Sequence, residues 1–186
     1  MSAVVVEADF RCKADRTAFS LMMFYLREQD KDELRAARGG FDPNRLADEI
    51  LRVGFKVWLV YPRKFRATPA AAFGLYKMTP TCAGVFAFGT DDWPLVVKGM
   101  TRRILRDIMP RAPEWGLHRA ECRALASRQD VRRWLLGLGW RAEAVLSEFG
   151  TRREDFILYA WTAPHEAHSD NQGEHQGFRE LSACDA

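Results

Sequence analysis

Apolar and polar positions follow two different periods along the chain, and these periods predict its helices and strands. Residues 84–88 form an apolar run that ends at the turn-forming residues 89–92, as expected of a short strand. In residues 95–109 the apolar side chains recur every three or four positions, with arginine and lysine between them, which predicts a basic amphipathic helix. Residues 118–126 then alternate between apolar and charged side chains, as a half-buried strand does.

A second helix and a hairpin are predicted to follow this strand. Ser127 is the predicted N-cap of the helix, with Asp130 three residues later, and Gly139 stands where a helix end favours a left-handed residue. Two further strands, at about residues 143–149 and 156–161, are joined by a polar turn.

The N-terminal half is predicted to add a strand, three helices and two strands before the strand at 84–88. Asp42 followed by proline is a helix start, and Gly39 is a helix end. A basic loop at 62–69 contains Arg63, Lys64 and Arg66. The predicted elements are a strand at 4–10, helices at 15–29, 31–38 and 42–53, and strands at 55–61 and 71–78.

The order strand, helix, strand, helix, Gly-aromatic step and strand pair resembles the C-terminal half of the GNAT superfamily, the acyl-CoA-dependent N-acyltransferases. Leu138-Gly139-Trp140 is similar to the Leu-Gly-Phe that ends the fourth helix in many members. The resemblance implies an α/β fold of the α+β type, in which helices flank a mixed, mostly antiparallel sheet with a final β-hairpin.

Three features more narrowly resemble the small internal virion proteins of short-tailed bacteriophages, a divergent GNAT branch. They are the aromatic strand that runs into residues 89–93, the arginine-rich helix after it, and the sequence of residues 133–139. This resemblance implies a bacteriophage-encoded protein located in the host cytoplasm or in the virion, where a virion protein would be its partner.

Length and composition favour a single soluble domain. The chain has 186 residues, 47% of them hydrophobic, which suits one domain at 1–161 followed by a disordered polar tail at 162–186. The tail histidines His165, His168 and His175 have no fixed geometry, so no metal site is predicted. The four cysteines form no Cys-x-x-Cys pair, which favours reduced thiols. No apolar run approaches the ~20 residues of a membrane helix.

Positive charge is concentrated in one part of the chain. The formal net charge is only +3, but residues 98–133 contain ten Lys or Arg against four acidic residues. This distribution predicts a positive surface that is compatible with contact to nucleic acid.

The GNAT resemblance also implies a binding site for acetyl-CoA between the fourth and fifth strands. In the family, the pantetheine amides pair with the fourth strand, and the pyrophosphate is held by the following loop and helix N-terminus. The nearest register of that loop here is residues 96–101, which keeps one glycine, while Asp91 and Asp92 would repel phosphate. A solvated basic helix face explains the same residues equally well. The candidate cofactor-binding residues are Phe86, Ala87, Phe88, Lys98, Gly99, Met100, Thr101, Arg102 and Arg103.

Catalysis in the family needs a base for the acceptor amine and an acid for the departing thiolate. Counting back from Gly139, Leu135 occupies the usual tyrosine position and Arg128 the usual asparagine position. Glu121 is a candidate base and Ser127 a candidate acid. A surface carboxylate paired with a neighbouring arginine, and a helix cap, are the alternative interpretations.

Three functions remain open at this stage. The first is acetyl-CoA-dependent N-acetyl transfer with a degenerate cofactor loop, and the second is a non-catalytic GNAT-fold virion protein with a protein or nucleic-acid partner. The third, nucleic-acid binding in its own right, depends only on the arginine cluster. An enzyme should have an open gap near Phe88 and Cys122 and free amides at the next helix start. A structural relative is expected to fill that gap with Phe86, Phe88 or Trp93.

Overall fold

The structure, a computed structural model, describes residues 3–62 and 68–164. The central residues of the predicted basic loop (63–67) and most of the predicted tail (165–186) lie outside these ranges. The strands are β1 (Val4–Glu7), β2 (Gly54–Tyr61), β3 (Ala71–Lys77), β4 (Cys82–Gly89), β5 (Arg119–Leu125), β6 (Arg141–Leu146) and β7 (Phe156–Thr162). The helices are α1 (Lys13–Phe24), α2 (Glu28–Arg38), α3 (Pro43–Val53), α4 (Trp93–Arg103) and α5 (Gln129–Gly137). Among the described helices, none is long and apolar enough to cross a membrane.

The strands form one sheet in the order β1-β2-β3-β4-β5-β7-β6. Only β4 and β5 are parallel neighbours, and every other pair is antiparallel. This confirms the predicted fold class, including the final hairpin of β6 and β7. Helices α1 and α3 cover one face of the sheet, and α4 and α5 cover the other. Strand β2 serves both cores, since Val57 and Leu59 point to the first face while Trp58 and Val60 point to the second.

Two helix boundaries follow the sequence signals closely. The Asp42 carboxylate accepts hydrogen bonds from the amides of Asn44 (2.9 Å) and Arg45 (3.2 Å), which fixes the start of α3. Gly39 ends α2 with a φ of 75°, a left-handed conformation that glycine adopts without steric cost.

The predicted helix at 15–29 ends earlier than expected, at Phe24. The residues after it leave the helix and run alongside the end of β4, where Leu26 forms a bridge with Thr90. The amide of Arg27 donates to the carbonyl of Gly89 (2.9 Å), and α2 begins at the next residue. A tertiary contact thus sets this boundary.

The basic helix is regular only as far as Arg103. A π-helical turn (Ile104–Ile108) and a 3-10 turn (Met109–Arg111) continue it, so the predicted end at 109 is correct only in outline. Pro110 explains the change, because proline has no amide hydrogen and its ring clashes with the carbonyl four residues earlier.

The prediction that Ser127 caps α5 is wrong. The helix starts at Gln129, and Arg128 occupies the cap position without a side-chain cap. Only the carbonyl of Ser127 is used locally, as the acceptor for the amide of Gln129 (2.9 Å). The Arg128 side chain is instead held in an ion network described below.

Alanine at two glycines near the end of α5 should have opposite effects on stability. Gly139 has a φ of 81°, so Gly139→Ala should lower the free energy of unfolding by about 1 kcal/mol. Gly137 lies in the helix with open space around it, so Gly137→Ala should raise that free energy by about 0.5 kcal/mol. Urea unfolding of both variants tests this, and a shift of both in the same direction would contradict the assigned geometry.

Candidate functional site

Strands β4 and β5 separate along their length and leave an open gap. Their pairing covers only three registers, ending at Gly84 opposite Glu121, although β4 continues to Gly89 and β5 to Leu125. A cavity of about 480 Å³ occupies the gap, with walls from α2, β4, β5 and α5. We call this space the wedge cavity, and the level of Gly84 and Glu121 its apex.

The free edge of β4 directs peptide groups into the wedge cavity. Thr90 donates its amide to the Ala70 carbonyl on the β3 side (2.9 Å), while Gly89 donates its amide to the Asp30 carboxylate on the opposite side (2.8 Å). Because peptide groups alternate between the two edges of a strand, Ala87 directs its N–H and C=O toward the gap. Of the three predicted pantetheine contacts, Ala87 is therefore the one with its backbone facing the cavity.

Phe86 and Phe88 do not fill the gap. Their rings stack on each other with centroids 5.5 Å apart, and both pack against the core beneath α1 and α3. Phe86 also lies over Gly74, where an added Cβ would be 2.6 Å from the ring. The cavity stays open beside them.

Trp93, at the start of α4, lines the wedge cavity and contacts α5. Its ring meets that of Trp134 edge-on, with centroids 5.5 Å apart and planes at 81°. Trp134 in turn donates its indole N–H to the Thr101 hydroxyl (2.9 Å). The Arg27 guanidinium lies over the Trp93 ring, with its central carbon 4.3 Å from the ring centroid. These contacts join the two helices and α2 across the cavity mouth.

The amides at the start of α4 donate to protein oxygens. The amide of Asp92 donates to the Thr90 hydroxyl (3.2 Å), and the amide of Trp93 donates to the Thr90 carbonyl (2.9 Å). Leu95 donates its amide to the Asp92 carbonyl (3.0 Å), and Pro94 has no amide hydrogen. These groups are the ones that would otherwise face an anion at a helix start.

The other predicted cofactor residues lie on α4, away from the free edge of β4. Gly99 faces β1, since an added Cβ would lie 2.7 Å from the amide nitrogen of Ala3. Met100 is fully buried in the core, and Thr101 donates its hydroxyl to the Val97 carbonyl (2.7 Å). The single glycine of the register thus serves helix-to-strand packing. The remaining three candidates, Lys98, Arg102 and Arg103, are exposed on the outer face of α4.

A buried ion network lies where α2, the end of β4 and the start of α5 meet. Arg128 is the central cation, and its guanidinium contacts Asp30 (3.2 Å), Glu33 (3.0 Å) and Asp130 (2.9 Å). The Arg128 side chain is only 8% exposed. Within residues 3–62 and 68–164 no group of acidic, histidine or cysteine side chains is arranged for a metal ion, and these carboxylates are arranged around an arginine instead.

Asp30 connects this network to β4. One of its carboxylate oxygens accepts hydrogen bonds from Arg27 (2.9 Å) and Arg128, and the other accepts the Gly89 amide. Sequence reasoning missed Asp30 as well as Arg128, because their partners lie up to 99 residues away along the chain.

Glu33 is a third residue that sequence reasoning missed, and it lies in the wall of the wedge cavity. Burial raises the pKa of its carboxyl to about 7, and Asp30 adds to this effect while Arg128 opposes it. A carboxyl with a pKa near neutrality in a cleft is suited to accepting a proton. The available signal was helical spacing, since Asp30, Glu33, Leu34 and Ala37 share one face of α2.

The two residues predicted for catalysis are not placed together. Glu121 lies at the apex and lines the cavity, but its carboxylate accepts a 2.6 Å hydrogen bond from Arg119. Ser127 is exposed in the turn before α5 and is not part of the cavity wall. Burial raises the pKa of the nearby Cys122 thiol to about 12, so this thiol is protonated at neutral pH and is a poor nucleophile.

Solved structures with the same arrangement of strands and helices identify the fold. A GNAT-family acetyltransferase from Streptococcus pneumoniae aligns with 88% of this chain and 100% of its own, at a TM-score of 0.61 and 12% identity. The fold is that of the GNAT acetyltransferases. The protein yncA from Salmonella typhimurium, solved with its cofactor acetyl-CoA, aligns over 92% of this GNAT-fold chain and 99% of its own (TM-score 0.62, 13% identity). The ribosomal-protein-S18-alanine N-acetyltransferase from Escherichia coli aligns over 89% and 97% (TM-score 0.58, 16% identity). No family model matches the sequence, and no curated protein matches it.

Proposed function

We propose that this GNAT-fold protein transfers an acyl group from acetyl-CoA, or from a closely related thioester, to an amine. The observation that carries the proposal is the open wedge cavity beyond the apex, with the peptide group of Ala87 facing it. Two strands that part around an unfilled space of this size form a site for an extended ligand arm. The yncA structure with acetyl-CoA supports the same choice of donor.

The residues of the site suit the pantetheine arm of such a donor better than its diphosphate. The Ala87 peptide offers one donor and one acceptor to the amides of a pantetheine arm, and the walls around it are largely apolar. The start of α4 suits a diphosphate poorly, because its amides are already hydrogen-bonded and Asp91 lies beside them. When bound, the donor would supply an acyl group activated as a thioester.

Glu33 is the proposed proton acceptor for the amine. Its carboxyl lines the wedge cavity on the α2 side, and with a pKa of about 7 it is partly ionised at neutral pH. The amine nitrogen would form the new bond to the acyl carbon as the bond from that carbon to sulfur breaks. The sulfur would leave as a thiolate and take up a proton from solvent, while Glu33 holds the proton that the amine loses. The protonated Cys122 supports direct transfer without an enzyme-bound acyl group. The position of the family's tyrosine is occupied by Leu135, which is buried and has no proton to give to the departing sulfur.

A specific observation favours a second candidate function, a non-catalytic role of the same fold in a bacteriophage virion. The satisfied amides at the start of α4 and the contact between Trp93 and Trp134 restrict the route that a coenzyme would take. In this role the exposed basic residues of α4 would meet a virion protein or packaged nucleic acid. Lys98 and Arg102 are spaced four residues apart, so they share one side of α4.

Titration calorimetry with acetyl-CoA separates the two candidates. We expect binding in the micromolar range, equivalent to about 8 kcal/mol. Ala87→Phe places a ring in the wedge cavity and should weaken binding at least tenfold. Ala144→Phe, on the exposed side of β6, is the matched control and should bind as the unmodified protein does. No heat of binding at millimolar acetyl-CoA would remove the transferase proposal and leave the virion role.

A further inference from the structure

A second, smaller cavity adjoins the wedge cavity. It has a volume of about 70 Å³, and every side chain that lines it is apolar. Trp58, Phe73, Trp115, Trp140 and Trp161 form most of its wall. We call this space the apolar void.

The apolar void lies on the face of the sheet that α4 and α5 cover, next to the apex. Val85, Ala87, Trp134 and Leu135 line both cavities, so the two cavities are neighbours. Ala120 also lines the void and pairs with Ala83, one register before the strands part. A ligand arm that follows the free edge of β4 toward the apex would therefore point its inner end at the void.

The apolar void is a partly open pocket at the border of the core. Its wall is apolar throughout, so it offers a water molecule too few hydrogen-bond partners. The void is instead suited to a small apolar group that enters from the wedge cavity.

We propose that the apolar void receives the alkyl chain of the acyl donor. The protein would then prefer thioesters whose acyl chain is a few carbons longer than acetyl to the acetyl thioester itself. This inference rests on the proposed transferase function and specifies its substrate class. At roughly 30 Å³ for each small group, the void holds about two methylene groups beyond acetyl. The preferred donor is therefore a butyryl thioester.

A series of acetyl-, propionyl-, butyryl- and hexanoyl-CoA, titrated by calorimetry into the full chain, tests the proposal. Each buried methylene should tighten binding about fourfold, so butyryl-CoA should bind roughly 15-fold more tightly than acetyl-CoA. Hexanoyl-CoA should lose that gain because the void is full. Equal or weaker binding of butyryl-CoA would overturn the inference alone. Failure of every thioester to bind would overturn the proposed function and the inference with it.

Two variants that fill the void provide an independent measurement. Ala112→Leu adds bulk to the wall of the void and should abolish the preference for butyryl-CoA while acetyl-CoA binding is unchanged. Ala120→Val adds less volume and serves where the first variant does not fold. Ala144→Leu, on the exposed side of β6, is the control and should keep the preference. A preference that persists in a folded, filled variant would also overturn the inference.

Discussion

Arg128→Leu should lower the free energy of unfolding by about 3–5 kcal/mol, the usual cost of removing one partner from a buried ion network. Arg128 contacts three carboxylates, and without it the buried Asp30 and the partly buried Glu33 would lose their main cation. Leucine retains part of the packing of the arginine stem, so the decrease in the free energy of unfolding comes mainly from the removed charge. Urea unfolding at pH 7 measures the effect.

The control for this prediction is an arginine whose ion pair is exposed. Arg38 contacts Glu49 at 2.6 Å, but its side chain is 44% exposed, so Arg38→Leu should change stability by less than about 1 kcal/mol. If the two variants lost similar free energy, the network around Arg128 would not hold α2 against β4 and α5. Because Asp30, Glu33 and Asp130 line the wedge cavity, the same loss should also loosen its wall.

Local sequence signals predicted most of the elements around the site. The periods of β4, α4, β5 and the hairpin belong to the segments themselves, and so do the caps at Asp42 and Gly139. The separation of β4 and β5 was expected from the GNAT resemblance, and the structure has it at the expected level, near Cys122.

The residues that the sequence did not reveal depend on long-range contacts. In the sequence, the residues around Gly99 fit a phosphate loop and a solvated basic helix face equally well, and only the contact with Ala3 shows that Gly99 serves close packing. Arg128 was compared with the family's asparagine, but its role is defined by carboxylates on α2. The end of α1 is set by pairing with Thr90, which no pattern within α1 encodes. In each case a distant segment outweighs the local preference.

Glu33→Gln should reduce the rate of acyl transfer by about 10²–10⁴-fold while acetyl-CoA affinity changes little, since the amide keeps the shape of the side chain but cannot accept the amine proton. A panel of amine acceptors identifies one that the unmodified protein acetylates. Release of the CoA thiol from acetyl-CoA with that acceptor measures the rate. The conservative Glu33→Asp should restore part of the activity. Glu49→Gln, in an exposed ion pair on α3, is the matched control and should leave the rate unchanged.

The pH dependence separates a proton acceptor from a structural residue. Only the ionised form accepts a proton, so kcat/KM should rise with pH through about 7 in the unmodified protein and lose that step in Glu33→Gln. The free energy of unfolding changes with pH in the opposite direction, because it falls as the pH rises. The folded-state pKa of Glu33 lies above its ordinary value of 4.5, so its favourable contribution is complete below pH 4.5 and is lost as the pH rises through 7. Glu33→Gln should therefore be at least as stable as the unmodified protein at pH 8, and a variant that is both inactive and unfolded there would mark Glu33 as a structural residue.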